Sequence, residues 1–107
     1  MHAIHTHELE TLLRVGANIR IVDVRKPKAR ENDPARIAGA VDRPFDDLES
    51  WANETENDNR VLICYCVHGH EVSQGAVQKL RDAGRNAFYL RGGLDAWKAE
   101  SGALQLS

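Results

Sequence analysis

Apolar residues first recur at spacings of three and four, at Leu9, Leu12, Leu13 and on to Val15, between Thr6 and Gly16. That spacing predicts a helix with one buried stripe, capped by Thr6 and stopped by Gly16. The pattern then changes. Ile19-Arg20-Ile21-Val22-Asp23-Val24 is β-branched and nearly continuous, as expected of a central strand covered on both faces. Residues 25–36 hold Pro27 and Pro34 among charged neighbours and predict an irregular surface connection. Ile37 to Val41 reads as a short strand that ends at Arg43-Pro44. Asp46 or Asp47 caps a short helix bearing Leu48 and Trp51, and the polar run Asn53 to Asn59 reads as a solvated loop. The strongest strand follows, Val61-Leu62-Ile63-Cys64-Tyr65, and it breaks off at Cys66-Val67-His68-Gly69-His70-Glu71. From Val72 or Ser73, the positions Ala76, Val77, Leu80 and Ala83 mark an amphipathic helix closed by Gly84. Ala87 to Leu90 is another strand, and Arg91-Gly92-Gly93 turns the chain into a last helix with Leu94, Ala96 and Trp97.

Strands alternating with helices imply a mostly parallel sheet with helices on both faces, an α/β fold. Such sheets bind ligands beyond the carboxyl ends of their strands, where Cys66 falls. With 107 residues there is room for one core, so one domain over residues 1–107 is expected to build the whole site.

Composition removes several functions. Apolar residues at 42% and charged residues at 28% describe an ordinary globular chain. No apolar run approaches the roughly 20 residues of a spanning helix, so no membrane partner is expected. The start Met1-His2-Ala3-Ile4-His5-Thr6 lacks a basic region and an apolar segment, which predicts a cytoplasmic protein. The 14 Lys+Arg against 16 Asp+Glu give a formal charge of -2 without basic clusters, so no nucleic-acid partner is expected either.

The chemistry then rests on two cysteines, Cys64 and Cys66. A disulfide between residues two apart closes a very tight ring and staples nothing, and a chain without an export signal points to reactive or buried thiols instead. Cys64 sits inside the strand and should pack like the valines beside it. Cys66 opens a glycine-containing loop before a helix, where backbone N–H groups and the helix N-terminus favour an anion and hence the thiolate. The cradle expected around the sulfur is Val67, His68, Gly69, His70, Glu71 and Val72. The two loop histidines add donors, whereas the Glu71 carboxylate opposes an anion if it faces the pocket. His68 and His70, two apart and with one thiolate nearby, fall short of a zinc set, so neither a metal nor a cofactor is expected. His2, His5 and His7 read as surface residues.

Three further stretches carry a resemblance that covers nearly the whole chain. Ile21-Val22-Asp23-Val24-Arg25, Arg36-Ile37-Ala38-Gly39-Ala40-Val41 and Leu90-Arg91-Gly92-Gly93-Leu94-Asp95-Ala96-Trp97, in this order around Cys66, resemble the rhodanese family. They match its Asp-Val-Arg step, its His-Ile-x-Gly-Ala segment with Arg36 in place of His, and its closing Gly-Gly and Ala-Trp motif. The resemblance implies a five-stranded, mostly parallel sheet flanked by helices on both faces. It also implies a sulfurtransferase in which Cys66 takes the outer sulfur of a small anionic donor such as thiosulfate as a persulfide. That sulfur then passes to cyanide, a thiol or a protein sulfur acceptor.

Against single-domain bacterial thiosulfate sulfurtransferases, Ser73, Gly75-Ala76, Leu80 and Gly84 align only if the stretch from Cys66 to Val72 is one residue longer. A longer loop resembles the related phosphatases and arsenate reductases, but these close it with Arg where Val72 stands, and Arg is what grips phosphate oxygens in pairs. A rhodanese-like binding module without turnover is the third alternative; Cys66, which inactive members usually lack, speaks against it. The loop offers no Arg or Lys for a sulfonate, so thiosulfate itself is expected to be a poor donor.

Overall fold

The computed structural model describes residues 2–54, 59–69, 71–100 and 102–106. In chain order the elements are β1 (Ala3–Ile4), α1 (Thr6–Arg14), β2 (Ile19–Asp23), α2 (Pro27–Asn32), β3 (Ala35–Ile37) and β4 (Val41–Asp42). A 3-10 turn (Phe45–Asp47) leads into α3 (Leu48–Glu54), then β5 (Val61–Tyr65), α4 (Glu71–Asp82), β6 (Ala87–Leu90), α5 (Gly93–Ala99) and β7 (Leu104–Leu106). Five strands form one sheet in the order β1-β6-β5-β2-β4, every neighbouring pair parallel. The antiparallel pair β3-β7 stands apart from it.

Period-two alternation along β5 divides the interior into two layers. Leu62 and Cys64 point to one face with Val22, Val24, Leu48, Ala76 and Leu80, the layer roofed by α3 and α4. Ile63 and Tyr65 point to the other with Ile21, Leu9, Leu94 and Trp97, roofed by α1 and α5. Both faces of β2 and β5 are therefore covered, which is why their sequences are continuous rather than alternating.

Several sequence expectations change. Helix α1 begins at Thr6, which is itself buried; His5 is the cap residue, and its backbone N–H donates to the Glu8 carboxylate (2.7 Å). The buried stripe narrows to Thr6 and Leu9; Leu13 is exposed within the helix, and Val15, also exposed, lies just past its end at Arg14. Gly16 does stop it, at φ +69°. The connection expected to be irregular contains α2, which Pro27 opens at a position where a proline's missing N–H costs nothing. The strand expected over Ile37 to Val41 is instead two, β3 and β4, separated by a turn with Gly39 at φ +84°. Helix α4 starts at Glu71, one or two residues early. The polar run from Asn53 opens inside α3, and residues 55–58 of it lie outside the described residues. Strands β1 and β7 were not expected, being too short to show a pattern.

A buried ion pair fixes the end of β2. Arg25, 2% exposed, donates from Nε to Asp23 Oδ1 (3.0 Å) and from Nη2 to Asp23 Oδ2 (2.8 Å). Its remaining donors reach the carbonyls of Asp33 (2.9 Å) and Ala35 (3.1 Å), on the far side of α2. Tyr65 completes the network, donating its hydroxyl to Asp23 Oδ2 (2.9 Å) and accepting the Ile37 N–H (3.2 Å). Burial and the adjacent Asp23 charge push the Tyr65 hydroxyl well above its ordinary range.

Arg25→Met strands the Asp23 carboxylate in the interior and should cost about 3–5 kcal/mol, read as a lowered urea midpoint at unchanged m. Asp23→Leu combined with Arg25→Met should recover part of that loss, since the uncompensated charge is then gone. Cys64 offers a second test. Burial first, and the neighbouring Cys66 second, push its thiol from 9.0 up to about 12. The folded state thus holds this proton more tightly than the unfolded chain does. Its contribution to stability is whole below about pH 9 and is lost as pH rises toward 12, by at most about 1.4 kcal/mol per pH unit. Urea titrations across that window should show Cys64→Val losing less stability than the parent; parallel curves would refute the assignment.

Candidate active site

Strand β5 ends at Tyr65, and the next residue is the first of the loop that leads to α4. Cys66 is 6% exposed and lies in the same core layer as Cys64, two residues before it. Only Cys66 also borders open space. It lines a pocket of about 450 Å³ with Arg25, Lys26, Ala29, Val67, His68, Glu71 and Val72. Its Sγ is 3.2 Å from Ser73 Oγ, and Ser73 is fully buried in the first turn of α4. The sulfur therefore rests against the positive end of a twelve-residue helix, where unpaired N–H groups and the helix dipole stabilise negative charge. Cys64, with no exposed surface and its thiol pushed up to about 12, is held in the neutral form. Both cysteines are free thiols.

The loop takes its shape from backbone packed on backbone. Gly69 adopts φ +74°, and a Cβ there would lie 2.6 Å from Gly92 N and 2.8 Å from Leu90 O. Gly93, at φ +61°, faces the loop from the other side, where a Cβ would run into Cys66 O and lie 2.7 Å from Gly69 N. No side chain fits between the two segments, so both need glycine. The start of α5 then accepts the loop's carbonyls: Leu94 N–H donates to Cys66 O (2.9 Å) and Asp95 N–H to Val67 O (3.1 Å). Gln74 in α4 donates to Gly69 O (3.1 Å) and closes the loop's other end.

Of the residues expected around the sulfur, Val67, His68, Glu71 and Val72 line the pocket, and Gly69 is buried beneath as the packing point. His70 lies outside the described residues. His68 is oriented by Asp95, whose Oδ2 is 2.8 Å from Nδ1. Glu71 is exposed at the rim. Val72 is half-buried and packs against the α3–α4 core layer.

Sequence reasoning missed Arg25, Lys26 and Ala29 as pocket walls, and Ser73, Gly92 and Gly93 as supports of the loop. The loop carries no cation of its own, but Lys26 supplies one from a different connection. Adjacency of β2 and β5 brings it there. Asp23 pairs with Tyr65 in the parallel register, and Val24 N–H donates to Tyr65 O (3.1 Å), so the residues after each strand emerge side by side. The signal available in the sequence was that two nearly continuous apolar strands, each followed by an abrupt change in pattern, would be neighbours in a parallel sheet.

Known proteins share this fold. The chain matches the family model of the rhodanese-like domain over residues 5–100. It is 32% identical over 83 residues to the thiosulfate sulfurtransferase GlpE of Coxiella burnetii, a match that covers 77% of this chain and 74% of that protein. The solution structure of the rhodanese-like domain of Alr3790 from Anabaena is similar over 100% of this chain and 80% of that one, with a TM-score of 0.84 and 31% identity. A protein of unknown function from Rhodopseudomonas palustris, described as a possible tyrosine phosphatase, has the same fold at 23% identity, with a TM-score of 0.85 over 98% of this chain and 85% of its own. A parallel five-stranded sheet, a cysteine loop at the carboxyl end of its middle strand and a Gly-Gly turn packed under that loop thus agree with the sequence match: the chain belongs to the rhodanese-like domain family.

Proposed function

We propose that this chain is a sulfurtransferase, one domain with a complete site in which Cys66 carries sulfur as a persulfide. The observation that carries this reading is the position of Cys66 Sγ, at the pocket floor and against the first turn of α4. The thiosulfate sulfurtransferase among the relatives supports the same reaction class.

The step needs no metal or cofactor. The Cys66 thiolate attacks the outer sulfur of a donor, forming the Cys66 S–S bond while the donor's own S–S bond breaks and its electron pair leaves with the rest of the donor. From thiosulfate the leaving group is sulfite. An acceptor, either cyanide or the thiolate of a small molecule or protein, then attacks the terminal sulfur and returns Cys66 to the thiolate. In the persulfide the negative charge sits one atom further out, still facing the helix end and the loop from Val67 to Val72. Val67 and Val72 keep the wall apolar and limit water, while His68, steadied by Asp95, contributes a polar edge.

A second reading, phosphate-ester or arsenate chemistry, is favoured by the longer loop and by the name given to the R. palustris protein. Against it stands Val72, where a phosphatase needs a guanidinium to hold the equatorial oxygens.

Cys66→Ser should abolish sulfur transfer to cyanide and the reductant-sensitive gain of one sulfur in intact mass, whereas Cys64→Ser should keep most of both, since its thiol is sealed and neutral. Equal loss in two folded variants would mean that Cys64 takes part in the chemistry. Hydrolysis of a generic aryl phosphate should be negligible in the parent. Val72→Arg should bind phosphate or sulfate about tenfold more tightly, measured by calorimetry. Robust phosphatase turnover that depends on Cys66 would reverse the ranking of the two readings.

A further inference from the structure

The pocket beside Cys66 holds little net charge. Arg25 lines it, but its guanidinium is spent on Asp23 and on the carbonyls of Asp33 and Ala35. His68 is paired with Asp95. Lys26 and Glu71, of opposite sign, remain, and among the described residues neither has an ion-pair partner. The rest of the wall is apolar: Ala29, Val67 and Val72. Beyond Lys26, Glu71 and Val72 the surface continues into a second hollow of about 240 Å³, bounded by Phe45 and Asp46. At about 450 Å³ the first pocket alone has the size of a small-molecule site, and an inorganic ion fills only part of it.

We infer that the preferred sulfur donor is an organic monoanion, with its sulfane sulfur at Cys66, its anionic group at Lys26 and an apolar group along Ala29, Val72 and Phe45. A dianion such as thiosulfate meets one lysine against one opposing carboxylate and leaves the apolar wall wet. A thiosulfonate, R–SO₂–S⁻, meets both features, since its sulfonyl oxygens match the ammonium and R covers the wall. The step balances: the Cys66 thiolate forms the new S–S bond, the sulfane–sulfonyl bond breaks, and its electron pair leaves on the sulfinate, R–SO₂⁻. The cysteine sulfur is thereby oxidised and the sulfonyl sulfur reduced, with total charge unchanged. This inference rests on the sulfur-transfer reading above.

Steady-state transfer to cyanide from thiosulfate, methanethiosulfonate and benzenethiosulfonate tests it, each rate being normalised to that donor's reaction with a free thiol. The expected order of kcat/KM is benzene, methane, thiosulfate, spanning at least about tenfold. Lys26→Gln alters an exposed side chain and should raise KM for both organic donors about fivefold with kcat little changed, an effect that shrinks at high ionic strength. Glu71→Gln should lower KM for thiosulfate more than for either monoanion, because the removed repulsion scales with donor charge. Val72→Thr keeps the volume of the wall and should narrow the preference for benzene over methane. Thiosulfate equal to or better than benzenethiosulfonate in the parent would overturn the inference while leaving sulfur transfer intact. Absence of a Cys66 persulfide with every donor would instead overturn the sulfur-transfer reading itself, and the inference with it.

Discussion

At the carboxyl end of β2 a guanidinium and a carboxylate lie side by side out of water, and much of the site's geometry follows from how they are paired. Two charges in the interior are tolerated only when each is matched and the remaining donors find acceptors. Arg25 meets that condition by donating from Nε and Nη2 to Asp23, from Nη2 also to the carbonyl of Ala35, and from Nη1 to that of Asp33. The second set of bonds ties down the chain on the far side of α2, which would otherwise be a polar surface loop. Lys98 adds an outer tie to Asp33. Lys26 and Ala29 are thereby held as one wall of the pocket. Tyr65 joins the network from β5, so the two central strands share a buried polar lock next to Cys66.

The opposite side of the site depends on the absence of side chains. Gly69 and the Gly92–Gly93 pair let the cysteine loop lie directly on the start of α5, where N–H groups of Leu94 and Asp95 take up the loop's carbonyls. A methyl group at Gly69 or Gly93 would meet backbone, which cannot move aside as a flexible side chain can. The loop is therefore fixed from below by α5 and at its end by α4, and Cys66 has a defined place with respect to the first turn of α4. Rigid support of this kind holds the Cys66 sulfur in one geometry.

Two cysteines of the same chemical type, two residues apart in one core layer, thus acquire different properties. Cys64 is inside the ladder between β2 and β6, where burial penalises the thiolate. Cys66 is beyond the last ladder pair, where the chain leaves the sheet and the pocket begins. The difference comes from where pairing ends, not from the residues themselves.

The sequence by itself determined the strands β2, β5 and β6, the helices α1, α3, α4 and α5, their α/β alternation and the place of Cys66 just past the end of β5. Each of these is written in local periodicity, or in a residue type at the end of a periodic run. Short elements were invisible, since β1, β7 and α2 span too few residues to show a period, and it is the chain after α2 that Arg25 ties down, at the carbonyls of Asp33 and Ala35. Val67, His68, Glu71 and Val72, which line the pocket with Cys66, were legible because they are nearly contiguous with it. Lys26, Ala29 and Gly93 were not, because their nearness to Cys66 comes from the parallel pairing of β2 with β5 and from the return of the chain through α5, while Ser73 reaches the sulfur through the turn of the loop into α4. The loop holds no Arg or Lys, as its sequence says, yet the pocket gains Lys26 from another connection: charge within a loop can be read along the chain, whereas the field at a site sums over every segment folded against it.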